Sequence, residues 1–176
     1  MRGGKTGLGI TYDLAACLVP YDASGGAGTG DVINLRNAGG VDVILIADAG
    51  AGSDIPILTF YQIKLIGGTP KALLVDHYYQ KEDTVLTTGS AWTKVANGTA
   101  GTGITTITGD ATSDDKQIIW VIPIEASMLD SSGGYDCVQV SLAQTAGAGV
   151  KLTAVLYMLR DLKRPASPAL LPDPLI

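Results

Sequence analysis

Apolar and polar residues alternate along much of this chain with a period of two, the spacing of a β-strand that keeps one face in a core. The signal is strongest over 116–159, where it predicts three consecutive strands at 117–125, 135–143 and 150–159. In the second, Val138, Val140 and Leu142 share a face, with Gln139 and Ser141 opposite. In the third, Val150, Leu152, Ala154, Leu156 and Met158 line the apolar face, while Lys151 and Thr153 point away. The loop 144–149 (QTAGAG) reads as a hairpin joining these two, its glycines free to take positive φ. Upstream, strands are predicted at 10–19 (where 14–17, capped by Asp13, would also suit a short helix), 31–36, 41–47, 56–66, 71–80, 92–96 and 103–108, with a brief extended piece at 84–86. The GGTP at 67–70 turns one strand back into the next, and 126–130 has room for one helical turn. The run 41–47 (VDVILIA) is the most apolar of all, and its blurred alternation reads as a central strand covered on both faces.

Strands recurring every ~8–12 residues, with Gly/Asp/Ser clusters between them, predict an all-β fold: a single antiparallel β-sandwich of jelly-roll-like type. The organisation expected is a flexible N-terminal arm at 1–9, a sandwich domain at 10–160 and an extended C-terminal arm at 161–176. A chain of 176 residues buries roughly 70% of its unfolded surface, enough for a core without disulfides or metals. Its composition is 46% apolar, with a mean hydropathy of +0.27. No run approaches the ~18 continuous apolar residues of a membrane helix, so no membrane partner is expected. That leaves two readings of the hydropathy: apolar surface shared with neighbouring subunits, or a well-filled core.

The C-terminal segment 160–176 (RDLKRPASPALLPDPLI) breaks the pattern. Pro165, Pro168, Pro172 and Pro174 forbid a helix and cannot donate to a central sheet ladder, yet Leu170, Leu171, Leu175 and Ile176 favour burial. A stiff apolar arm of this kind suits the surface of a neighbouring subunit, or an edge of its own sandwich. Charge is divided in the same way. Arg2 and Lys5 lie at one end, and Arg160, Lys163 and Arg164 at the other. Residues 6–159 hold 7 of the 12 basic groups and 15 of the 17 acidic ones, a net charge near −8. An acidic body repels phosphate, which argues against nucleic acid as the partner.

Candidate chemistry is sparse. Gly4-Lys5-Thr6 lacks the upstream glycine and strand of a phosphate-binding loop, and no glycine cluster has the G-x-G-x-x-G spacing. His77 is the one histidine, and no nucleophile elbow accompanies it; catalysis and cofactors are not expected. One histidine and two distant cysteines do not make a zinc set. Asp48, Asp54, Asp110, Asp114 and Asp115 crowd loops, where aspartate is a default turn residue as well as a Ca²⁺ ligand. Trp92, Trp120, Tyr78 and Tyr79 read as core and interface anchors, or as a sugar-stacking platform. Cys17 and Cys137 sit in apolar contexts that favour buried thiols, and a bridge stays open. Gly7, Gly9 and Asp13 interrupt any signal-peptide core, so synthesis in a reducing cytosol is expected.

The order of segments carries one resemblance. Leu35-Arg36-Asn37-Ala38 leads into the strand at 41–47, followed by a strand centred on Thr59-Phe60-Tyr61 and the turn at 124–130 (IEASMLD). Then come Tyr135-Asp136-Cys137-Val138-Gln139-Val140 and a closing strand rich in Ala, Val and Tyr. Over residues ~30–160 this resembles the small β-sandwich proteins of tailed double-stranded DNA phage heads, which act as capsid decoration (cement) or minor head proteins. The resemblance implies a non-enzymatic virion protein on the capsid exterior, made in the host cytoplasm. Its partners would be the major capsid protein and copies of itself, by analogy as a trimer. Arg2, Lys5, Arg160, Lys163 and Arg164 would then meet acidic capsid surface, and Leu170, Leu171 and Leu175 apolar grooves. The alternative is a receptor- or glycan-binding sandwich of a head fibre or tail tip, with Trp92 or Tyr78 exposed in a shallow cleft.

Overall fold

The computed structural model describes residues 11–50, 54–64, 69–87, 89–96, 103–109, 115–145 and 150–163. Through them run β1 (Tyr12–Asp22), β2 (Gly28–Thr29), β3 (Ile33–Asn34), β4 (Gly40–Ala47), β5 (Pro56–Ile63) and β6 (Lys71–Ala72). They are followed by β7 (His77–Asp83), β8 (Thr93–Ala96), β9 (Thr106–Thr108), β10 (Gln117–Glu125), β11 (Cys137–Gln144) and β12 (Leu152–Arg160). The larger sheet has the order β1-β12-β4-β10-β7-β8. The smaller has β2-β11-β5-β6, with β3 also on β11 and β9 also on β5. The strand pairs are antiparallel and the two sheets stack as a β-sandwich, the fold class the alternation predicts.

The core between the sheets is one continuous cluster. Val41, Val43 and Leu45 of β4, Ile118, Trp120, Ile122 and Ile124 of β10, and Val155, Tyr157 and Leu159 of β12 face Leu58 and Phe60 of β5 and Val138, Val140 and Leu142 of β11. The Tyr78 ring lies against Trp120 at 5.6 Å between centroids, and the Tyr157 hydroxyl donates to the Asp31 carbonyl at 2.9 Å. Cys17 and Cys137 are both buried and free, the unbridged reading of the two. Burial pushes each thiol up to about 12, and at Cys137 the neighbouring Asp136 carboxylate adds to the rise.

Several expectations change. In β12 the buried face is the opposite one: Lys151, Thr153, Val155, Tyr157 and Leu159 point inward, and Leu152, Ala154, Leu156 and Met158 point out. Lys151 is only 1% exposed because its ammonium donates to the Lys116 carbonyl at 3.1 Å, and Thr153 Oγ1 donates to the Lys151 carbonyl at 3.3 Å. With both polar side chains bonded internally, the core takes them, and the aliphatic face is left outside. Second, β4 is central in its sheet but, among the described residues, covered on one face only, with Asp42, Ile44 and Ile46 outward. Third, the expected strand at 71–80 divides. β6 pairs with β5 in the smaller sheet, while β7 pairs with β10 and β8 in the larger, and a single bridge between Val75 and Ile104 marks the crossing. Fourth, β11 and β12 lie in different sheets, so the connection after β11 is a crossover and not a hairpin. Residues 84–86 form no strand. The glycines at 146–149 lie outside the described residues, as do the arm at 1–9 and residues 164–176.

Candidate interaction face

The register of the larger sheet places its outward side chains in rows. Ala16 of β1 is opposite Leu156 of β12, which is opposite Ile44 of β4, then Val121 of β10, then Tyr79 of β7. The next row runs Ala154, Ile46, Ile119 and Lys81. The row on the other side runs Leu14, Met158, Asp42 and Pro123. These two flanks and the row between them make a largely aliphatic surface across β12, β4 and β10, interrupted by Asp42 and bounded on β7 by Tyr79 and Lys81. Ile46 is 42% exposed, and Leu152, at the edge, 50%. Beside them Pro20, Ile46, Leu86, Leu152 and Ala154 line a shallow depression of about 410 Å³.

The smaller sheet provides a comparison within the same molecule. Its outward positions on β5 and β11 include Thr59, Tyr61, Gln139 and Ser141. Thr59 and Thr106 share a hydroxyl hydrogen bond at 3.2 Å, while the Gln139 amide donates to the Gly30 carbonyl and Ser141 to the Gly28 carbonyl. One sheet therefore turns a hydrogen-bonding face outward and the other an aliphatic face. A large exposed apolar patch marks an interaction site in a way that scattered apolar residues do not.

Charge interrupts the apolar face at Asp42 and at Lys81, and Asp42 is matched within the chain. At one end the Arg160 guanidinium donates to Asp42 at 3.0 Å and to Glu125 at 2.7 Å. Burial raises the Asp42 carboxyl above its ordinary value, and Arg160 opposes that rise. At the side, Lys116 and Glu82 form an ion pair at 3.7 Å. Of the basic and apolar arm residues expected to make contacts, Arg160 is thus held by its own sheet. Lys163 lies on the rim of a cavity of about 330 Å³ at the end of the sandwich, its backbone N–H bonded to the Asn37 carbonyl at 2.8 Å. Leu35, Leu129 and Tyr135 line that cavity, and the Arg36–Asp136 ion pair closes one side. Arg2, Lys5, Arg164, Leu170, Leu171 and Leu175 lie outside the described residues.

The other candidates are dispersed. His77 stands on β7 with its ring edge-to-face on Tyr79, 5.4 Å between centroids. Among the described residues no three of His, Cys, Asp and Glu gather as a metal set, and no helix is long and apolar enough to cross a membrane. Asp110 and Asp114 lie outside the described residues. Trp120 and Tyr78 are core, whereas Trp92 is 52% exposed. Sequence reasoning raised a shared apolar surface as one reading of the hydropathy but did not place it on this sheet. Its signal was present: 41–47, 118–124 and 154–159 are apolar at nearly every position, the pattern of strands covered twice.

Known proteins contribute little here. No family model matches the chain, and no curated protein matches it. Among solved structures, the SPBc2 prophage-derived protein YomS matches at 9% identity and a TM-score of 0.40, covering 87% of this chain and 99% of that one. At that TM-score the likeness says nothing about what this chain does.

Proposed function

We propose that this protein is a structural subunit of a phage particle, a decoration or minor head protein that binds the outside of an assembled capsid and stabilises it. The reading carries no enzymatic step and no cofactor. One observation supports it above the rest: the largely aliphatic outer face of the larger sheet, which a partner protein surface would cover favourably. The resemblance of the segment order to that of phage head proteins is in keeping with it. A protein that binds the assembled shell and not its separated subunits stabilises the shell by mass action. Many copies, each with a modest interface, add avidity.

The test uses capsids of the parent phage stripped of this protein. Adding it back should raise their melting temperature and resistance to DNA pressure, and Ile46→Asp should abolish both effects. Capsids that neither bind the protein nor gain stability would sink the reading. A glycan-binding role rests on the exposed Trp92. Binding of an oligosaccharide that is lost in Trp92→Ala would favour it instead.

A further inference from the structure

We propose that the cavity at the end of the sandwich takes a short acidic segment of a partner protein. An apolar side chain of that segment lies against Leu35, Ala126 and Leu129, and its carboxylates meet Lys64 and Lys163. The inference rests on the reading above, that this protein works through protein contacts. It adds a second contact, which shares no residue with the outer face of the larger sheet.

Shape limits the size of the occupant. At about 330 Å³ the cavity lies at the small end of the ~300–1,000 Å³ range of ligand pockets, so it admits a few side chains and not a folded surface. Its wall is mixed. Leu35, Ala126 and Leu129 supply an apolar part, and Ser127, Ser131 and Tyr135 add hydroxyls. Charge selects the chemistry. The chain as a whole is acidic, yet the carboxylates around this cavity are already engaged. Asp136 is paired with Arg36 and accepts from the Cys137 thiol at 3.3 Å. Asp130 accepts from the Lys71 ammonium at 2.7 Å, the Ser132 hydroxyl at 2.8 Å and the Gly133 N–H at 2.9 Å. Glu125 and Asp161, the nearest acids along the flanking segments, are held by Arg160 at 2.7 and 3.7 Å. Two cations are left over. The Lys64 ammonium stands 5.1 Å from the centroid of the Tyr135 ring, which also carries the Lys71 ammonium at 5.2 Å. Asp130 answers Lys71, and no carboxylate answers Lys64. Lys163 donates to the Arg36 carbonyl at 3.5 Å. Among the described residues neither Lys64 nor Lys163 joins an ion pair. A peptide carboxylate would complete both. A nucleic acid would instead bring a run of phosphates to a chain of net charge −5.

The test titrates the isotope-labelled full chain with the peptide acetyl-Leu-Glu-Leu-Glu-Leu-amide and follows backbone amide shifts by NMR. Saturable shifts should centre on 126–131, Tyr135 and Lys163. The same peptide with glutamine for glutamate should bind about fivefold more weakly or worse, as should the original peptide to the Lys64→Gln/Lys163→Gln variant. Ser127→Glu, at an exposed position on the cavity wall, should weaken binding by repulsion without touching either lysine. No saturable shift overturns the proposal, as do shifts confined to the outer face of the larger sheet, equal binding of the two peptides, or indifference to these substitutions. Displacement of the peptide by inorganic phosphate at matched ionic strength also overturns it, since the site would then hold any anion. So does binding that appears only in a full chain carrying Leu170→Ser and Leu171→Ser, because residues 164–176 would then be the occupant. Failure here is separable from failure of the proposed function. If the peptide does not bind and the Lys64→Gln/Lys163→Gln variant stabilises capsids as well as the parent chain, the function stands and the cavity site falls. A peptide seated in the cavity of a protein that binds no capsid does the reverse.

Discussion

At the residue scale, Gly30 leaves less room for a side chain than any other described glycine, because it packs against Cys17. A Cβ at position 30 would stand 2.2 Å from Cys17 Sγ and 3.1 Å from the Val140 carbonyl oxygen. Gly30 accordingly lets the chain between β2 and β3 lie against β1 and β11. Gly30→Ala should cost about 1–3 kcal/mol by overpacking. Denaturant unfolding of Gly30→Ala, Cys17→Ala and the double variant should show favourable coupling, since the second change removes the sulfur the new methyl meets. Additive losses would mean that the backbone, not the thiol, sets the limit. Trp120 makes a second case. Its indole nitrogen is buried and, among the described residues, lacks a hydrogen-bond partner. Trp120→Phe should therefore cost well under the ~3–5 kcal/mol of Trp120→Ala, as thermal or chemical unfolding would show.

At the element scale, the ends of β4, β10 and β12 are tied by Arg160 between Asp42 and Glu125. Desolvation raises Asp42 above its unfolded value, so its ionised form costs stability as the pH climbs past that value, and Arg160 offsets the cost. Arg160→Met should lower stability by about 1–3 kcal/mol at pH 7, leaving a half-buried carboxylate without its cation. The loss should shrink towards pH 3.5, where Asp42 takes up a proton in both states. An equal loss at both pH values would remove the ion pair from the account. These elements also show how far the sequence could be read. The buried face of β11 follows from alternation alone, because Gln139 and Ser141 stand opposite Val138, Val140 and Leu142, whereas β10 is apolar on both faces. β12 has aliphatic residues on both faces, and periodicity cannot choose between them. The choice fell to Lys151, whose reach to the Lys116 carbonyl depends on a strand distant in sequence. The same holds for the split between β6 and β7, fixed by pairing with Ile104 and not by any break in the local pattern.

At the scale of the whole molecule, β1 pairs with β12 along its length, from Tyr12 opposite Arg160 to Asp22 opposite Leu152. Every described strand of both sheets is complete by Lys163. A chain stopped there should fold with an unchanged β-type circular dichroism spectrum, whereas one stopped before Leu152 should not fold at all. Aggregation of the longer truncation would show that residues 164–176 belong to the core. Because closure requires the first strand to meet the last, the topology is rich in non-local pairings, and folding should take milliseconds to seconds.

That closure also fixes how the molecule bears tension. Tyr12 and Arg160 sit side by side, so a load pulling on both tails parts β1 from β12 one hydrogen bond after another, as a zip opens. A load between Asp22 and Arg160, at opposite ends of the same pair, must shear many bonds together. Optical tweezers attached at 11 and 163 should open the protein at much lower force than handles at 22 and 160, and equal forces would contradict this geometry. A load applied to the two tails therefore meets the molecule along its weakest direction.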